Sequence, residues 1–281
     1  RRPSMILVTG ATGTVGSEVV KALSARQQPF RAGYRSRPQN VPAGMEAVQL
    51  DFERPETIGP ALRGVETLFL LSSTVAPEAN VARAAGPAGV RRIVKLSVWG
   101  AGQPGFTIGA WHRGAEEAVE RSGAAWTILR PNGYMQNVVN FMAPTIKAQG
   151  ALYSSAAGAL ISHIDARDIG EIAALVLTEG GHEGKTYELG GPAGITYDEM
   201  ASVLTRELGR PVRYVPVSDE DYKQAAVASG VPEAYADALV NLNRNYRDGG
   251  FSRVAPDTHR LLGRVPTSFE QFARDYAAAL R

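Results

Sequence analysis

The chain has 281 residues, of which 44% are hydrophobic and 21% charged, so it can bury a full core. A net charge of +2, with the arginines spread along the chain, argues against a nucleic-acid partner, and the lack of cysteine excludes disulfides and thiolate metal ligands. Because no apolar run approaches the ~20 residues that span a bilayer, we expect a cytoplasmic globular protein without a membrane partner or a metal.

The first 130 residues alternate between short apolar runs and helical patterns. In chain order we predict a strand at 5–9, a helix at 14–26, strands at 30–34 and 46–50, a helix at 55–62, a strand at 66–72, a helix at 78–90, a strand at 92–97, a helix at 108–123 and a strand at 125–130. This alternation predicts an α/β fold with a Rossmann-like, doubly wound parallel sheet. Ligands of such sheets bind at the carboxyl ends of the strands.

The regular alternation of predicted strands and helices ends at about residue 150. Short strands are predicted in LISHID (160–165), KTYELGG and VRYVPV, and residues 219–248 and 256–281 give helical patterns without strands between them. We therefore expect a Rossmann core at 1–150. The remainder, 151–281, is expected to supply further core elements and a smaller, mostly helical cap that binds the substrate.

Three glycines join the first predicted strand to the first predicted helix, in TGATGTVG. Gly10 permits a tight turn, Gly13 lets a pyrophosphate approach the backbone, and Gly16 allows close helix packing. The free amides at the helix start would face the phosphates. The alternative is merely a tight turn, but the repeated strand–helix pattern favours NAD(P) binding by residues 1–150. The predicted contacts are Gly10, Ala11, Thr12, Gly13, Thr14, Val15 and Gly16.

The end of the second predicted strand indicates which dinucleotide is bound. An acidic residue there would hold a ribose 2′-hydroxyl, but the sequence GYRSRP offers Arg35, Ser36 and Arg37 instead. An arginine pairs well with a 2′-phosphate. We therefore predict NADP(H), with Arg35 as the main contact and Arg37 or Ser36 as support. A solvated arginine pair on a loop is the alternative.

The segments TGATGTVG, LDFERPETIGPAL and TILRPNGYMQN together resemble the NmrA-like branch of the atypical short-chain dehydrogenase/reductases. This family includes quinone reductases, triphenylmethane dye reductases, isoflavone-reductase-like enzymes and redox-sensing regulators without turnover. The resemblance implies positions beside the adenine, along the path to the nicotinamide and at the nicotinamide itself. These positions are Asp51 and Phe52, then Leu71, Ser72 and Ser73, then Ser97, Pro131, Asn132 and Gly133. An aspartate after a strand also commonly serves as a turn residue.

The Tyr-x-x-x-Lys pair typical of short-chain dehydrogenases is missing, since no tyrosine of the chain has a lysine four residues later. The helix expected to carry it contains WHRGAE. His112 and Glu116 are spaced to meet on one helix face, where the carboxylate would raise the imidazole pKa and keep a proton available. His112 is therefore the candidate catalytic residue. A helix-surface ion pair, or a histidine packed against the cap, is the alternative.

Several aromatic and amide side chains follow the expected crevice. The candidate substrate residues are Trp99, Trp111, Asn132, Tyr134 and Phe141. The aromatic rings would form a flat apolar pocket for a ring system, although each alone also fits ordinary packing. The amide fits substrate binding or helix capping equally well.

The function expected from these features is NADPH-dependent hydride transfer to a small planar conjugated substrate, such as a quinone, a dye or an aromatic polyketide-type intermediate. Such acceptors need little proton assistance, which suits a site without the Tyr–Lys pair. Two alternatives stay open: an NADP(H)-sensing regulator without turnover, and an isomerase or dehydratase on the same fold. A homodimer is also left open.

Overall fold

The computed structural model describes residues 5–36 and 46–281, and within them the chain forms nine strands, twelve α-helices and one π-helix. The strands are β1 (Ile6–Val8), β2 (Phe30–Tyr34), β3 (Glu46–Gln49), β4 (Thr67–Leu70), β5 (Arg92–Leu96), β6 (Ala125–Pro131), β7 (Ala151–Ser154), β8 (Lys185–Leu189) and β9 (Arg213–Pro216). The α-helices are α1 (Thr14–Ala25), α2 (Pro55–Leu62), α3 (Glu78–Ala85), α4 (Thr107–Glu120), α5 (Ala143–Gln149), α6 (Ala166–Thr178), α7 (Tyr197–Leu208), α8 (Asp219–Ala228), α9 (Glu233–Arg247), α10 (Pro256–Leu262), α11 (Phe269–Asp275) and α12 (Ala277–Leu280). The π-helix spans Val138–Met142.

Seven strands form one sheet in the order β3-β2-β1-β4-β5-β6-β8. The pairings from β3 across to β6 are all parallel. The chain adds β2 and β3 on one side of β1 and then crosses to β4 on the other side. This reversal between β1 and β4 is the switch point at which doubly wound sheets open a ligand crevice. The predicted Rossmann-like fold is confirmed.

The strands at the centre of this sheet are short and mostly apolar, which accounts for their burial. The residues of β1 and β4 are buried throughout, as expected for parallel strands covered by helices. Leu7 and Leu68 belong to a core cluster with side chains of α2 and α3. A further helical layer consists of α1 packed against α6. Gly170 permits that close approach, because a Cβ there would lie 2.7 Å from the backbone carbonyl carbon of Glu18.

The chain divides into two compact units that are interleaved in sequence. The first unit contains the described residues of 1–102, together with 109–131 and 166–188, and holds the large sheet. The second unit contains 103–108, 132–165 and 189–281. It holds the two-stranded parallel sheet β7-β9 and most of the later helices, which confirms the mostly helical C-terminal part.

The strand predicted at 160–165 is wrong. Instead of a ladder, its backbone amides bond singly to separate segments. Ile161 N–H donates to Ile195 O at 3.1 Å, Ser162 N–H to Phe251 O at 2.9 Å and Ile164 N–H to Gly133 O at 2.9 Å. Ile161 and Ile164 are buried as in a strand, but the partners of the segment are scattered along the chain.

The helices are short. The longest in the described residues, α9, has 15 residues. None of the helices in 5–36 and 46–281 combines the length and apolar character needed to cross a membrane.

Candidate functional site

The three glycines after β1 have different structural roles. Gly10 has φ +61, and a Cβ there would also lie 3.0 Å from Leu71 O. A Cβ at Gly16 would lie 2.0 Å from Gly10 O, so this position requires glycine for packing. Gly13 has an ordinary φ of −81, and a Cβ there would lie 3.3 Å from Gly10 O. The fold therefore depends on Gly10 and Gly16 much more than on Gly13.

The start of α1 is suited to an anion. Its N-cap, Gly13, offers no side chain to the first amides, and the first turn carries no acidic residue. Thr12 and Gly13 are exposed, whereas Ala11 and Val15 are buried and fix the loop. The first N–H groups of a helix have no partner within the helix and favour negative charge. The loop therefore fits a dinucleotide pyrophosphate.

Arg35 lies just beyond β2, the parallel neighbour of β1. Arg35 and Ser36 are both exposed there. Arg37, the other predicted supporting residue, lies outside the described residues. The carboxyl end of β2 thus presents an arginine on the strand next to the glycine loop, and its contact with a 2′-phosphate stays a prediction.

Asp51 forms a turn after β3. Its Oδ1 accepts the N–H of Glu53 at 3.1 Å, and its carbonyl oxygen accepts the hydroxyl of Thr57 at 3.0 Å. These bonds tie the end of β3 to the start of α2, as in the turn-residue alternative. The adenine contacts expected of Asp51 and the half-buried Phe52 stay predictions.

The segment after β4 borders the glycine loop directly. Leu71 lies against Gly10, and its backbone is fixed by Thr9, whose hydroxyl lies 2.7 Å from Leu71 O. Ser72 donates its N–H at 3.0 Å and its hydroxyl at 3.1 Å to Glu78 Oε1. Ser73 is exposed. The predicted residues 71–73 therefore lie beside the switch point.

Ser97, directly after β5, is buried and hydrogen-bonds to a buried carboxylate, that of Glu116. Its hydroxyl donates to Glu116 Oε1 at 2.6 Å. Arg130 also donates to both oxygens of Glu116, at 2.8 and 2.7 Å. Arg113 adds a further bond at 2.9 Å. Burial would raise the pKa of Glu116, but the hydrogen bonds that it accepts outweigh burial and leave that pKa below its ordinary value.

His112 does not have the environment that its spacing from Glu116 predicted. Its Nδ1 lies 3.4 Å from Nζ of Lys95. Burial, and secondly the charge of Lys95, lower the pKa of His112 to about 2. The expectation that Glu116 raises this pKa is wrong, because the Glu116 carboxylate is directed to Ser97 and two arginines. His112 is thus a neutral imidazole, and a catalytic role for it stays a prediction.

The candidate substrate residues fall in both units. In the first unit, Trp99 is 1% exposed, and its backbone N–H donates to Pro131 O at 2.8 Å. Trp111, on α4, is 40% exposed. Contact between Trp99 and a substrate would require its ring to be uncovered. The predicted residue Pro131, at the end of β6, here anchors the loop after β5.

In the second unit, Asn132 is buried and its amide is used by the fold. Its Nδ2 donates to Ser162 Oγ at 2.9 Å and to Phe251 O at 2.8 Å, and its Oδ1 accepts the N–H of Gly133 at 2.8 Å. Tyr134 forms an isolated bridge with Ile164. Phe141, on the π-helix, is 73% exposed. The amide of Asn132 therefore links separate segments of the second unit rather than capping a helix, and its contact with a substrate stays a prediction. Phe141 presents an exposed aromatic ring.

Sequence reasoning missed a buried ion pair in the first unit. Lys95 of β5 and Glu78 of α3 are both 0% exposed, with Nζ 2.7 Å from Oε2. The signal was present in RIVKLS, since a lysine inside an apolar buried strand requires an anionic partner. The partner could not be read from the sequence, because it lies on another element.

Comparison with known proteins gives a consistent result. Residues 2–273 match the NmrA-like family. The chain is 36% identical to an NAD(P)H azoreductase of Xenophilus azovorans, over 98% of this chain and 99% of the relative. Two solved structures superimpose closely. The NADPH complex of an NADPH-dependent quinone oxidoreductase from Escherichia coli has a TM-score of 0.85 at 30% identity, covering 96% of this chain and 99% of that one. The Citrobacter triphenylmethane reductase complexed with NADP(H) has a TM-score of 0.82 at 29% identity, covering 98% and 99%. The resemblance carried by the three sequence motifs is thereby confirmed, and the chain belongs to the NmrA-like family.

Proposed function

We propose that this protein is an NADPH-dependent reductase that transfers hydride to a small planar conjugated substrate, such as a quinone, a dye or an aromatic polyketide-type intermediate. The observation that carries the proposal is the glycine loop at the switch point. It leaves the start of α1 open to an anion on a sheet that superimposes on NADPH-bound reductases. The similarity to an azoreductase supports the substrate class.

The cofactor is held by groups of the first unit. The amides at the start of α1 bind the pyrophosphate, and Gly13 leaves room for it. Arg35 pairs with the 2′-phosphate and thereby selects NADPH over NADH. Leu71 and Ser73 border the cofactor after β4, where Leu71 already lies against Gly10.

The bound nicotinamide supplies the hydride. The chain has no Tyr-x-x-x-Lys pair to protonate a carbonyl oxygen. A quinone or a conjugated cation accepts hydride without prior protonation, so orientation of the acceptor carries most of the catalysis. The exposed ring of Trp111, on α4 of the first unit, is the aromatic surface that we assign to substrate binding.

A binding measurement with one variant tests the proposal. Gly13→Val leaves the backbone conformation accessible, since φ is −81, but fills the space that the pyrophosphate needs. We expect wild-type protein to bind NADPH in isothermal titration and the variant to lose binding while keeping its circular dichroism spectrum. A folded variant that binds NADPH normally would contradict the phosphate site. Binding without turnover of any quinone or dye would instead indicate a cofactor sensor.

A further inference from the structure

Lys95 is held at the end of β5 by three acceptors. Its Nζ lies 2.7 Å from Glu78 Oε2, 3.4 Å from His112 Nδ1, and in hydrogen-bonding contact with Leu96 O. The Glu78 contact has the geometry of an ion pair rather than an aligned hydrogen bond. An ammonium has three protons and no acceptor capacity, so Lys95 donates to Leu96 O and to Nδ1 of His112, while Glu78 supplies the opposite charge.

The surroundings of Glu78 favour its charged form, which acts as the counter-ion of this lysine. Its Oε1 accepts the N–H and the hydroxyl of Ser72, and it lies in the first turn of α3, where negative charge is favoured. Burial raises the pKa of Glu78, and the charge of Lys95 is the first influence that opposes this. A fully buried ammonium without such a partner would be strongly disfavoured.

The charged neighbours of His112 come from three elements. Lys95 of β5 faces its Nδ1, and Glu78 of α3 lies behind that lysine. On its own helix, Glu116 and Arg113 bond to each other at 2.9 Å. A proton added to Nδ1 would therefore meet an ammonium donor directly, without a carboxylate beside it.

We propose that Lys95 replaces the lysine missing from α4: it holds His112 as a neutral imidazole whose proton is on Nε2, so that His112 acts as an uncharged hydrogen-bond donor. This inference rests on the proposed reductase function for the use made of that donor. A bound NADPH would supply the hydride, that is two electrons with one hydrogen, and the Nε2–H of His112 would bond to the quinone oxygen that becomes negative. That oxygen then takes its proton from water, and His112 keeps its own. His112 would be the catalytic residue and Lys95 a positioning residue.

Nitrogen NMR of the imidazole rings tests the tautomer without an activity measurement. In ¹⁵N-histidine-labelled wild-type protein, with the His112 signals assigned by their loss in His112→Ala, we expect the Nε2–H form without titration between about pH 5 and 9. A His112 signal that titrates near neutral pH, or an Nδ1–H form, would overturn the proposal.

Variants then distinguish a role of Lys95 in orienting His112 from a role in the stability of the fold alone. In Lys95→Met/Glu78→Gln, which leaves no unpaired buried charge, His112 should become a mixture of tautomers and kcat should fall by roughly tenfold or more. The Kd for NADPH should stay unchanged. Lys95→Arg, which keeps a cationic donor, should retain the Nε2–H form. Arg121→Met, a matched loss of positive charge at an exposed residue just after α4, should change neither property.

An unchanged tautomer in the folded double variant would overturn the role of Lys95. If the double variant does not fold, the proposal is tested by whether His112 has the Nε2–H form in the spectra of the wild type and of Lys95→Arg. The proposed function and this inference fail separately. A wild-type protein that does not bind NADPH contradicts only the former, whereas a titrating His112 in an active protein contradicts only the latter.

Discussion

Glu116 shows how one buried carboxylate can organise the ends of two strands and a helix. It is 0% exposed and accepts hydrogen bonds from Ser97, Arg130 and Arg113. Hydrogen bonds to a charged group each contribute about 1.5–3 kcal/mol to stability. The network thus fixes the end of β5 against α4, which also carries His112.

Replacing Glu116 by Gln should lower the free energy of unfolding by about 1.5–3 kcal/mol at neutral pH, because the arginines lose their charged acceptor. The folded pKa of Glu116 lies below its unfolded value of 4.5, so its stabilising effect is complete above pH 4.5 and is lost as the pH falls through the folded value. Urea unfolding should therefore show a difference between wild type and variant that narrows in acid. Glu117→Gln, at a neighbouring carboxylate that is 42% exposed, should change stability by less than about 0.5 kcal/mol. Equal losses in both variants would contradict the network.

Replacing Arg35 by Ala should remove most of the preference for NADPH over NADH. A charge-assisted bond to the 2′-phosphate is worth about 1.5–3 kcal/mol, so the Kd for NADPH should rise by roughly ten- to a hundredfold. The Kd for NADH should not change, because NADH has no phosphate there. Arg54→Ala, an exposed arginine after β3, is the control. Equal affinity of wild-type protein for both cofactors would refute the assignment.

For individual residues, the sequence predicted a structural role only where that role depends on neighbours in the chain. Gly10, Gly13 and Gly16 could be assigned because strand, turn and helix are local. The partner of His112 could not, because helix spacing suggested Glu116 whereas the fold brings Lys95 from β5. Lys95 and Glu78 are 17 residues apart in the chain and meet only after β5 is paired and α3 is packed.

At the scale of elements, close packing depends on small residues at particular points. The contact of α1 with α6 passes over Gly170, and the turn from β1 into α1 passes over Gly16. In both cases a Cβ would meet backbone atoms, which cannot move aside as a flexible side chain can. Gly59 of α2 and Gly114 of α4, by contrast, have no atom within 4 Å of such a Cβ.

Gly170→Ala should therefore destabilise the protein by about 1–3 kcal/mol, because the new Cβ would force α1 away from α6. Gly59→Ala, in the exposed part of α2 with no atom within 4 Å, should instead stabilise it by about 0.5–1 kcal/mol. Thermal unfolding of both variants checks the pair. Two shifts of the same sign would contradict the packing account.

The elements of the first unit were predictable because buried parallel strands are continuous apolar runs with helical periods between them. β2 and α2 have the residue bounds expected from the sequence. The segment 160–165 was not predictable, since its amides bond to Ile195, Phe251 and Gly133 rather than to one neighbouring strand. Such scattered partners leave no periodic trace in the sequence.

For the whole molecule, both units contain a histidine that the fold keeps neutral. Burial lowers the pKa of His163 in the second unit to about 4, and burial together with Lys95 lowers that of His112 in the first. A histidine with a lowered folded pKa binds its proton more readily in the unfolded chain. Stability is therefore complete above the unfolded value near 6.5 and falls as the pH drops below it.

Wild-type protein should accordingly lose stability between pH 6.5 and pH 4, with His163 contributing on the order of 3 kcal/mol over that interval. Replacing His163 by Gln should flatten the decline. His259→Gln, on an exposed part of α10, should leave it unchanged. Urea midpoints at several pH values measure the slopes, and identical slopes in wild type and His163→Gln would contradict this assignment.

The central claim, that the chain uses NADPH to reduce a planar conjugated acceptor, is tested most directly by anaerobic turnover. Wild-type protein is mixed with NADPH and a naphthoquinone, and the loss of NADPH fluorescence is followed beside Gly13→Val and a protein-free control. We predict multiple turnovers by the wild type, with NADPH preferred over NADH, and the protein-free rate for Gly13→Val. A wild-type rate no faster than the protein-free control, across quinone, azo and triphenylmethane acceptors, would contradict the account.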